Sequence, residues 1–244
     1  MINIIADYHT HTIYSHGKGT ILENVLEARY KGLKEVAITD HGFKHFAFGV
    51  KRRKLEKMRQ EIDNINKRFE DIKVFLGMEC NIISKDGAID IDDASLKYLD
   101  ILALGYHMLA IPKGVMDYHH IYVKNYLHRL KRIKNYKIIH DNTDTMIKAI
   151  NNYKIDFITH PGARIPMDIK KLAIGASKVG TALEINANSN VMTVEEIKNA
   201  AKSGVKFVIN SDAHTPADVG NFKNGTNLAK EAGLTKEQIL NAAK

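Results

Sequence analysis

The chain has 244 residues, 44% hydrophobic and 26% charged, with a formal net charge of +8. This composition excludes collagenous, low-complexity and disordered chains, and the longest apolar runs, such as Ile101–Leu104 and Phe207–Ile209, are too short to cross a bilayer. A lone cysteine, Cys80, rules out an intrachain disulfide. The expectation is one globular cytoplasmic domain over residues 1–244, with no leader and no membrane partner. Its basic surface favours anionic molecules, although much of the excess is lysine spread along amphipathic helices, the pattern of a solvated helix face.

Short apolar runs alternate with longer helical patterns, the sequence form of repeated β–α units. Seven runs predict strands at Ile2–Ala6, Glu35–Thr39, Val74–Met78, Asp100–Leu104, Asp156–Thr159, Ala182–Ile185 and Phe207–Asn210. Seven parallel strands nearly close a barrel, so the fold class is α/β, a β/α (TIM-like) barrel in preference to an open doubly wound sheet. Thr20 with Glu23, Thr193 with Glu196, and Thr235 with Gln238 each fit a capping box at a helix start, and Pro216 suits a first helical turn. Between Lys51 and Phe69, Leu55, Met58, Ile62, Ile65 and Phe69 recur at helical spacing and predict one buried stripe. Asn81–Asp93 reads as a small hairpin around Lys-Asp-Gly-Ala. Met108–Tyr118 reads as an extended connection before an amphipathic helix from Ile121 to Ile133.

Each predicted strand ends in a residue able to hold metal or move protons. Strand one runs into Asp7, His9, His11 and His16, strand two into Asp40 and His41, strand three into Glu79, and strand four into His107. Strand five meets His160, strand six ends at Glu184 and Asn186, and strand seven delivers Asp212 and His214. In a parallel barrel these ends open on one face. A lone histidine there is more often a hydrogen-bonded structural residue, but seven consecutive ends reverse that weighting. His9 and His11 alternate across Thr10, so an extended backbone places both imidazoles on one side, and Asp212 and His214 repeat the spacing. Mixed imidazole and carboxylate donors suit zinc, manganese or iron better than calcium, with zinc first. The donors are enough for two or three ions if a carboxylate such as Glu79 bridges. His119, His120 and His128 fall on or beside the amphipathic helix and read as surface residues. His45, just beyond strand two, is a lesser candidate for supporting the ligands, and His140, before Asp141 and Asn142 at an expected helix start, reads as a capping or supporting residue rather than a direct ligand.

Six motifs occur in order: Asp-Tyr-His-Thr-His-Thr at Asp7–Thr12, Ile-Thr-Asp-His-Gly at Ile38–Gly42, Gly-Met-Glu-Cys-Asn at Gly77–Asn81, Gly-Tyr-His at Gly105–His107, Thr-His-Pro-Gly at Thr159–Gly162 and Ser-Asp-Ala-His at Ser211–His214. On these motifs the chain resembles the polymerase and histidinol phosphatase (PHP) family, particularly its stand-alone bacterial phosphoesterases. The resemblance implies a distorted seven-stranded barrel with three divalent metals in its mouth. It implies His9, His11 and Asp212 on one metal, His16, His41 and His214 on a second, and Glu79, His107 and His160 completing the third, with Glu79 bridging to the first. Many family members carry Asp where this chain has His16, a departure that still supplies a ligand.

The chemistry expected is hydrolysis of a phosphomonoester by hydroxide generated at the metals, which lower the pKa of bound water and neutralise phosphoryl oxygens. Asp212 and His214 are candidates to orient water or transfer a proton, with ligation ranked first. Arg164, Lys51, Arg52 and Arg53 are candidates to grip phosphate, a solvent-facing salt bridge being at least as good a reading of each. The partner expected is a small phosphorylated substrate. Phosphodiester hydrolysis in the manner of a single-strand exonuclease, and histidinol-phosphate hydrolysis, are the alternatives; the former lacks the interleaved aromatic and basic residues that stack successive bases. A non-catalytic barrel would show missing ligands, and none of the nine positions is missing. An amidohydrolase fits the motif set less well.

Overall fold

A computed structural model describes residues 2–131, 135–189 and 191–244. Its sheet runs β1 (Ala6–Asp7), β2 (Glu35–Ile38), β3 (Lys73–Asn81), β4 (Ile101–Gly105), β5 (Phe157–Ile158), β6 (Ala182–Asn186) and β7 (Phe207–Asn210) in sequence order. Every neighbouring pair is parallel. The seam between β7 and β1 is stitched just past the strand ends, where Thr10 bridges Ala213 and the His11 amide donates to the Ala213 carbonyl at 2.8 Å. The result is a nearly closed α/β barrel of TIM-like form.

Alternation along each strand divides the molecule into two apolar regions. Leu102 and Leu104, Ile158, Leu183 and Ile185, and Phe207 and Ile209 face the surrounding helices in one continuous core. Their neighbours Ala103, Phe157, Ala182 and Val208, with Tyr8 and Ile101 packed against them, form a separate plug inside the barrel. Moving toward the C-terminal ends, the same inward register reaches Glu79, Asn81, Thr159, Glu184, Asn186 and Asn210, all buried. The strand pattern therefore sets an apolar floor beneath a polar mouth.

The helices α1 (Ile21–Tyr30), α2 (Leu55–Arg68), α3 (Asp93–Leu96), α4 (Val115–Tyr118), α5 (Lys124–Lys131), α6 (Tyr136–Asn152), α7 (Ile169–Val179), α8 (Val194–Ala201) and α9 (Lys223–Glu231) follow the strands. The capping boxes at Thr20 and Thr193 form as expected. At Thr235 the Gln238 side chain accepts the cap amide at 2.9 Å, but only a 3-10 turn, Lys236–Gln238, follows. Pro216 likewise opens a 3-10 turn, Pro216–Asp218. Helix α2 buries Leu55, Met58, Ile62 and Ile65 as its spacing predicts. The hairpin is a tight reversal with Ile82 bridged to Ile89 and Gly87 at φ +81°, a backbone state that glycine adopts without a Cβ penalty. None of these described helices is long and apolar enough to cross a membrane.

Four local expectations are corrected. Strand β1 is shorter than Ile2–Ala6 because the preceding residues pair with the C-terminal segment, through the Ile5 amide to the Asn241 carbonyl at 3.0 Å and the Ala243 amide to the Asn3 carbonyl at 2.8 Å. The connection Met108–Tyr118 is not wholly extended, since Val115–Tyr118 is helical and runs through a π-helical turn, His119–Val123, into α5; the expected end of that helix, Ile133, lies outside the described residues. His120 is buried, with Nε2 3.1 Å from Thr145 Oγ1, because the π turn rotates it toward α6. Finally, α6 starts earlier than expected, capped by Asn135, which leaves His140 within the helix and paired with Asp144 at 3.0 Å.

Candidate metal centre

All nine predicted donors gather at the barrel mouth. His9, His11, His41 and Glu79 are buried, and His16, His107, His160, Asp212 and His214 are partly exposed. Four overlapping groups have donor atoms mutually within 4.8 Å: His9, His11 and Asp212; His9, Glu79 and His160; His41, Glu79 and His107; and His11, His16 and His41. His214 falls in none of these groups but meets His16, Nε2 to Nε2, at 2.5 Å.

The spacing around the first group is informative. His9 Nε2 and His11 Nε2 are 3.1 Å apart, and Asp212 Oδ1 stands 3.5 and 3.4 Å from them. Glu79 Oε2 stands 3.6 and 3.7 Å from the same two nitrogens. A tetrahedral ion with ligands at about 2.0–2.1 Å has ligand-to-ligand edges of about 3.3 Å, so His9, His11 and Asp212 are spaced as three corners of one coordination shell, and Glu79 Oε2 stands at a similar separation from the two imidazoles. The other Glu79 oxygen, Oε1, faces a different pair, His160 Nε2 at 3.0 Å and His107 Nε2 at 3.3 Å. One carboxylate thus presents an oxygen to each of two donor sets.

The far nitrogens of several imidazoles are fixed by the barrel. His9 Nδ1 is 2.8 Å from Glu184 Oε1, His107 Nδ1 is 2.7 Å from Asn81 Oδ1, and His214 Nδ1 is 2.8 Å from the Asp212 carbonyl. In each case an acceptor holds the Nδ1 proton and leaves the Nε2 lone pair aimed inward, the arrangement in which histidine binds metal. Thr159 Oγ1 donates to Glu79 Oε1 at 2.7 Å. By contrast, His11 Nδ1, His16 Nδ1, His41 Nδ1 and Glu79 Oε2 are buried polar atoms without a hydrogen-bond partner; His41 Nδ1 and Glu79 Oε2 lie 2.8 Å apart but off line. Leaving such groups unpaired costs about 1–3 kcal/mol each, more when charged, and a cation among them would satisfy them together.

The local backbone serves the same geometry. His160 and Asp212 both have positive φ, +26° and +53°, an uncommon state for residues with a Cβ. At His160 the amide donates to Glu184 Oε2 at 2.7 Å, which helps to hold the turn. Gly105 leaves room for His107, since a Cβ there would lie 2.2 Å from the ring Cε1. Beneath the donors, Asp7 accepts from Ser211 Oγ and Asp40 from Thr12 Oγ1, tying the end of β1 to those of its neighbours β7 and β2.

Electrostatics separates the imidazoles into two kinds. Burial first, then the neighbouring His11 and His214, pushes His16 down to about 3, and burial holds His41 well below its usual value despite Glu79. Both are neutral donors at neutral pH. Burial also opposes the charged form of His9, but Glu184, Asp212 and Glu79 outweigh it and raise His9 well above its usual value. His160 is raised in the same way, chiefly by Glu79. Burial favours the neutral form of Glu79 as well, yet His107, His9 and His41 hold it well below the carboxylate range.

Of the residues considered for phosphate, Arg164 lines the cavity above the donor cluster, presented by a backbone with φ +59°. Lys51, Arg52 and Arg53 are not among the lining residues; Arg52 pairs with Asp92 at 2.5 Å and lies 4.9 Å over the Phe43 ring. Sequence reasoning placed Glu184 at a strand end but gave it no role, and it passed over Asn81, the partner of His107. Both sit at inward positions two residues from other inward polar groups, which is the signal that could have found them. His45, the lesser candidate, stacks on His41 with centroids 4.3 Å apart.

Comparison with known proteins agrees with this architecture. The PHP domain profile matches residues 7–211. A probable phosphatase of Thermoanaerobacter sp. (strain X514) is 32% identical over 256 residues, covering 98% of this chain and 91% of that protein. The DNA polymerase/3′-5′ exonuclease PolX of Bacillus subtilis (strain 168) is 30% identical over 98% of this chain, which spans only 39% of PolX. In fold, the chain is similar to the histidinol phosphate phosphatase of Lactococcus lactis, a structure complexed with zinc, L-histidinol and phosphate, with a TM-score of 0.63, 16% identity and 98% of each chain covered. With a match over most of its length and the family's ordered motifs converging at one barrel mouth, the chain belongs to the PHP-domain family of metal-dependent phosphoesterases.

Proposed function

We propose that the protein hydrolyses phosphomonoesters of small molecules at a centre of three divalent cations. His9, His11 and Asp212 would hold one, Glu79 would bridge it to a second completed by His107 and His160, and His16, His41 and His214 would hold the third. The observation that carries this reading is the position of Glu79: Oε2 stands 3.6 and 3.7 Å from His9 and His11 and 2.8 Å from His41, while Oε1 stands 3.0 and 3.3 Å from His160 and His107. When bound, such cations supply Lewis acidity that makes water nucleophilic near neutral pH and offsets phosphoryl charge. The imidazole-rich shell suits zinc first, with manganese or iron as substitutes, and zinc is also the metal of the Lactococcus structure.

The chain's own residues do the positioning. Glu184, Asn81 and the Asp212 carbonyl fix the tautomers of His9, His107 and His214, and Thr159 orients Glu79. Arg164, on the cavity wall, would take phosphoryl oxygens through paired N–H donors. Asp212 and His214 serve as ligands before any role in proton transfer, because a coordinated atom is not also a free base.

Zinc- or manganese-loaded protein is expected to release phosphate from an aryl phosphate, and His9→Ala to abolish the release. Full activity after exhaustive chelation overturns the reading. The similarity to PolX favours one rival, phosphodiester hydrolysis. It is supported if labelled oligonucleotides are shortened while monoesters are untouched.

A further inference from the structure

The cavity above the ligand cluster, about 570 Å³, has the size of a site for a small organic molecule. Beyond the imidazoles its walls include Phe48, Met108, Leu109, Val191 and Arg164. The loops after β2 and β4 bring several of these together. They pair as a short antiparallel ladder, with His45 opposite Ala110, the Phe46 amide donating to the Leu109 carbonyl at 2.8 Å and the Ile111 amide to the Lys44 carbonyl at 2.7 Å. His45 and Ala110 are buried, while Phe46, Phe48, Leu109 and Ile111 remain 76%, 39%, 43% and 46% exposed. The Phe48 ring stacks on His16 with centroids 4.6 Å apart and planes at 21°. Of the four exposed residues, Phe48 and Leu109 line the cavity together with Met108, so apolar surface reaches from the His16 ring to the exposed rim. Exposed apolar side chains concentrated at one mouth mark a surface that a ligand covers.

Charge narrows the ligand further. Among the described residues lining the cavity, Glu79 and Asp212 are the only carboxylates, and both belong to the ligand cluster; Arg164 is the only arginine or lysine. A cationic alcohol would find no carboxylate of its own. A polynucleotide would find one guanidinium where binding calls for a track of cations.

We propose that the substrates are monoesters of uncharged alcohols bearing an apolar, preferably aromatic, group that rests on Phe48, Met108 and Leu109 while the phosphoryl group lies by the ligand cluster and Arg164. This rests on the phosphomonoesterase reading above and names its substrate class.

The test compares kcat/KM of the zinc-loaded full chain for ethyl, 2-phenylethyl and 2-aminoethyl phosphate, esters whose alcohols share the same two-carbon link. The expected result is at least about a tenfold preference for 2-phenylethyl over ethyl phosphate, the scale on which an apolar pocket discriminates, with no preference for the aminoethyl ester. Leu109→Ser and Phe48→Leu should each lower the phenylethyl-to-ethyl ratio. Metal content is measured in every variant, and if Phe48→Leu loses cations through its contact with His16, the ratio is read from Leu109→Ser. Equal values for ethyl and 2-phenylethyl phosphate, a preference for 2-aminoethyl phosphate, or an unchanged ratio in metal-replete Leu109→Ser overturns the inference and leaves the phosphoesterase reading standing. No hydrolysis of any of the three esters by metal-replete protein overturns both.

Discussion

His9 Nδ1 lies 2.8 Å from Glu184 Oε1, a contact between the end of β1 and the middle of β6 that decides which nitrogen of His9 faces the other donors. Glu184 is fully engaged elsewhere, accepting from Asn210 Nδ2 at 2.9 Å, the His160 amide at 2.7 Å and Asn186 Nδ2 at 3.1 Å. It therefore organises three strand ends without being one of the predicted ligands. Carboxylates in this position raise the basicity of the imidazole they hold. Glu184→Gln keeps the shape and removes the charge, and is expected to weaken zinc binding by about 10–100-fold, as measured by competition with a chelating dye. Unchanged affinity would show that Glu184 serves the fold alone.

The two kinds of histidine have a consequence for pH. Glu184, Asp212 and Glu79 outweigh burial at His9, and Glu79 does so at His160, so both hold a proton more tightly than an ordinary imidazole, and that proton must leave before the nitrogen ligates. His16, down at about 3, and His41, also depressed, bring no proton to displace. Zinc binding should therefore release protons at pH 7 and weaken as pH falls, because protonated His9 and His160 compete with the metal. Calorimetric titration in buffers of different ionisation enthalpy checks this. Proton uptake on binding, or affinity that rises as pH falls from 8 to 6, contradicts it.

Gly105 is required by the ring of His107, which a Cβ would approach to 2.2 Å. Gly105→Ala should push His107 away from Glu79 and remove part of the second donor set. The expected result is the loss of about one equivalent of bound metal by elemental analysis, with the circular dichroism of the barrel retained, since the space needed is local. Retention of every equivalent would mean that the loop yields without moving the ligand.

Phe157 is 2% exposed and belongs to the plug inside the barrel, with its ring centroid 6.4 Å from that of His9. Phe157→Ala should cost about 3–5 kcal/mol of stability, the range for large cavities in packed cores, read from urea denaturation of the metal-free protein. A cost below about 1 kcal/mol would mean that the plug repacks around the gap.

Much of the barrel was legible because each strand is a short apolar run whose next polar residue falls at the mouth. Glu35, Ala182, Phe207 and Asn210 bound strands as expected. The start of β1 was not legible, since Ile4 bridges Ala242, a pairing between the two ends of the chain that no local pattern announces. His120 was misread because a π turn alters the helical phase at that point. At the site, the nine candidates that gather at the mouth were legible from residue type and position. Their supporting partners are ordinary residues such as Asn81 and Glu184, whose contacts with His107 and His9 are long-range.

The most direct test is a crystal structure of the zinc-soaked protein with anomalous data collected on either side of the zinc absorption edge. The account predicts three anomalous peaks in the barrel mouth, one bounded by His9, His11 and Asp212, one by His107 and His160, one by His16, His41 and His214, with Glu79 between the first two. Peaks only on the outer surface, or none within ligand distance of Glu79, would contradict it.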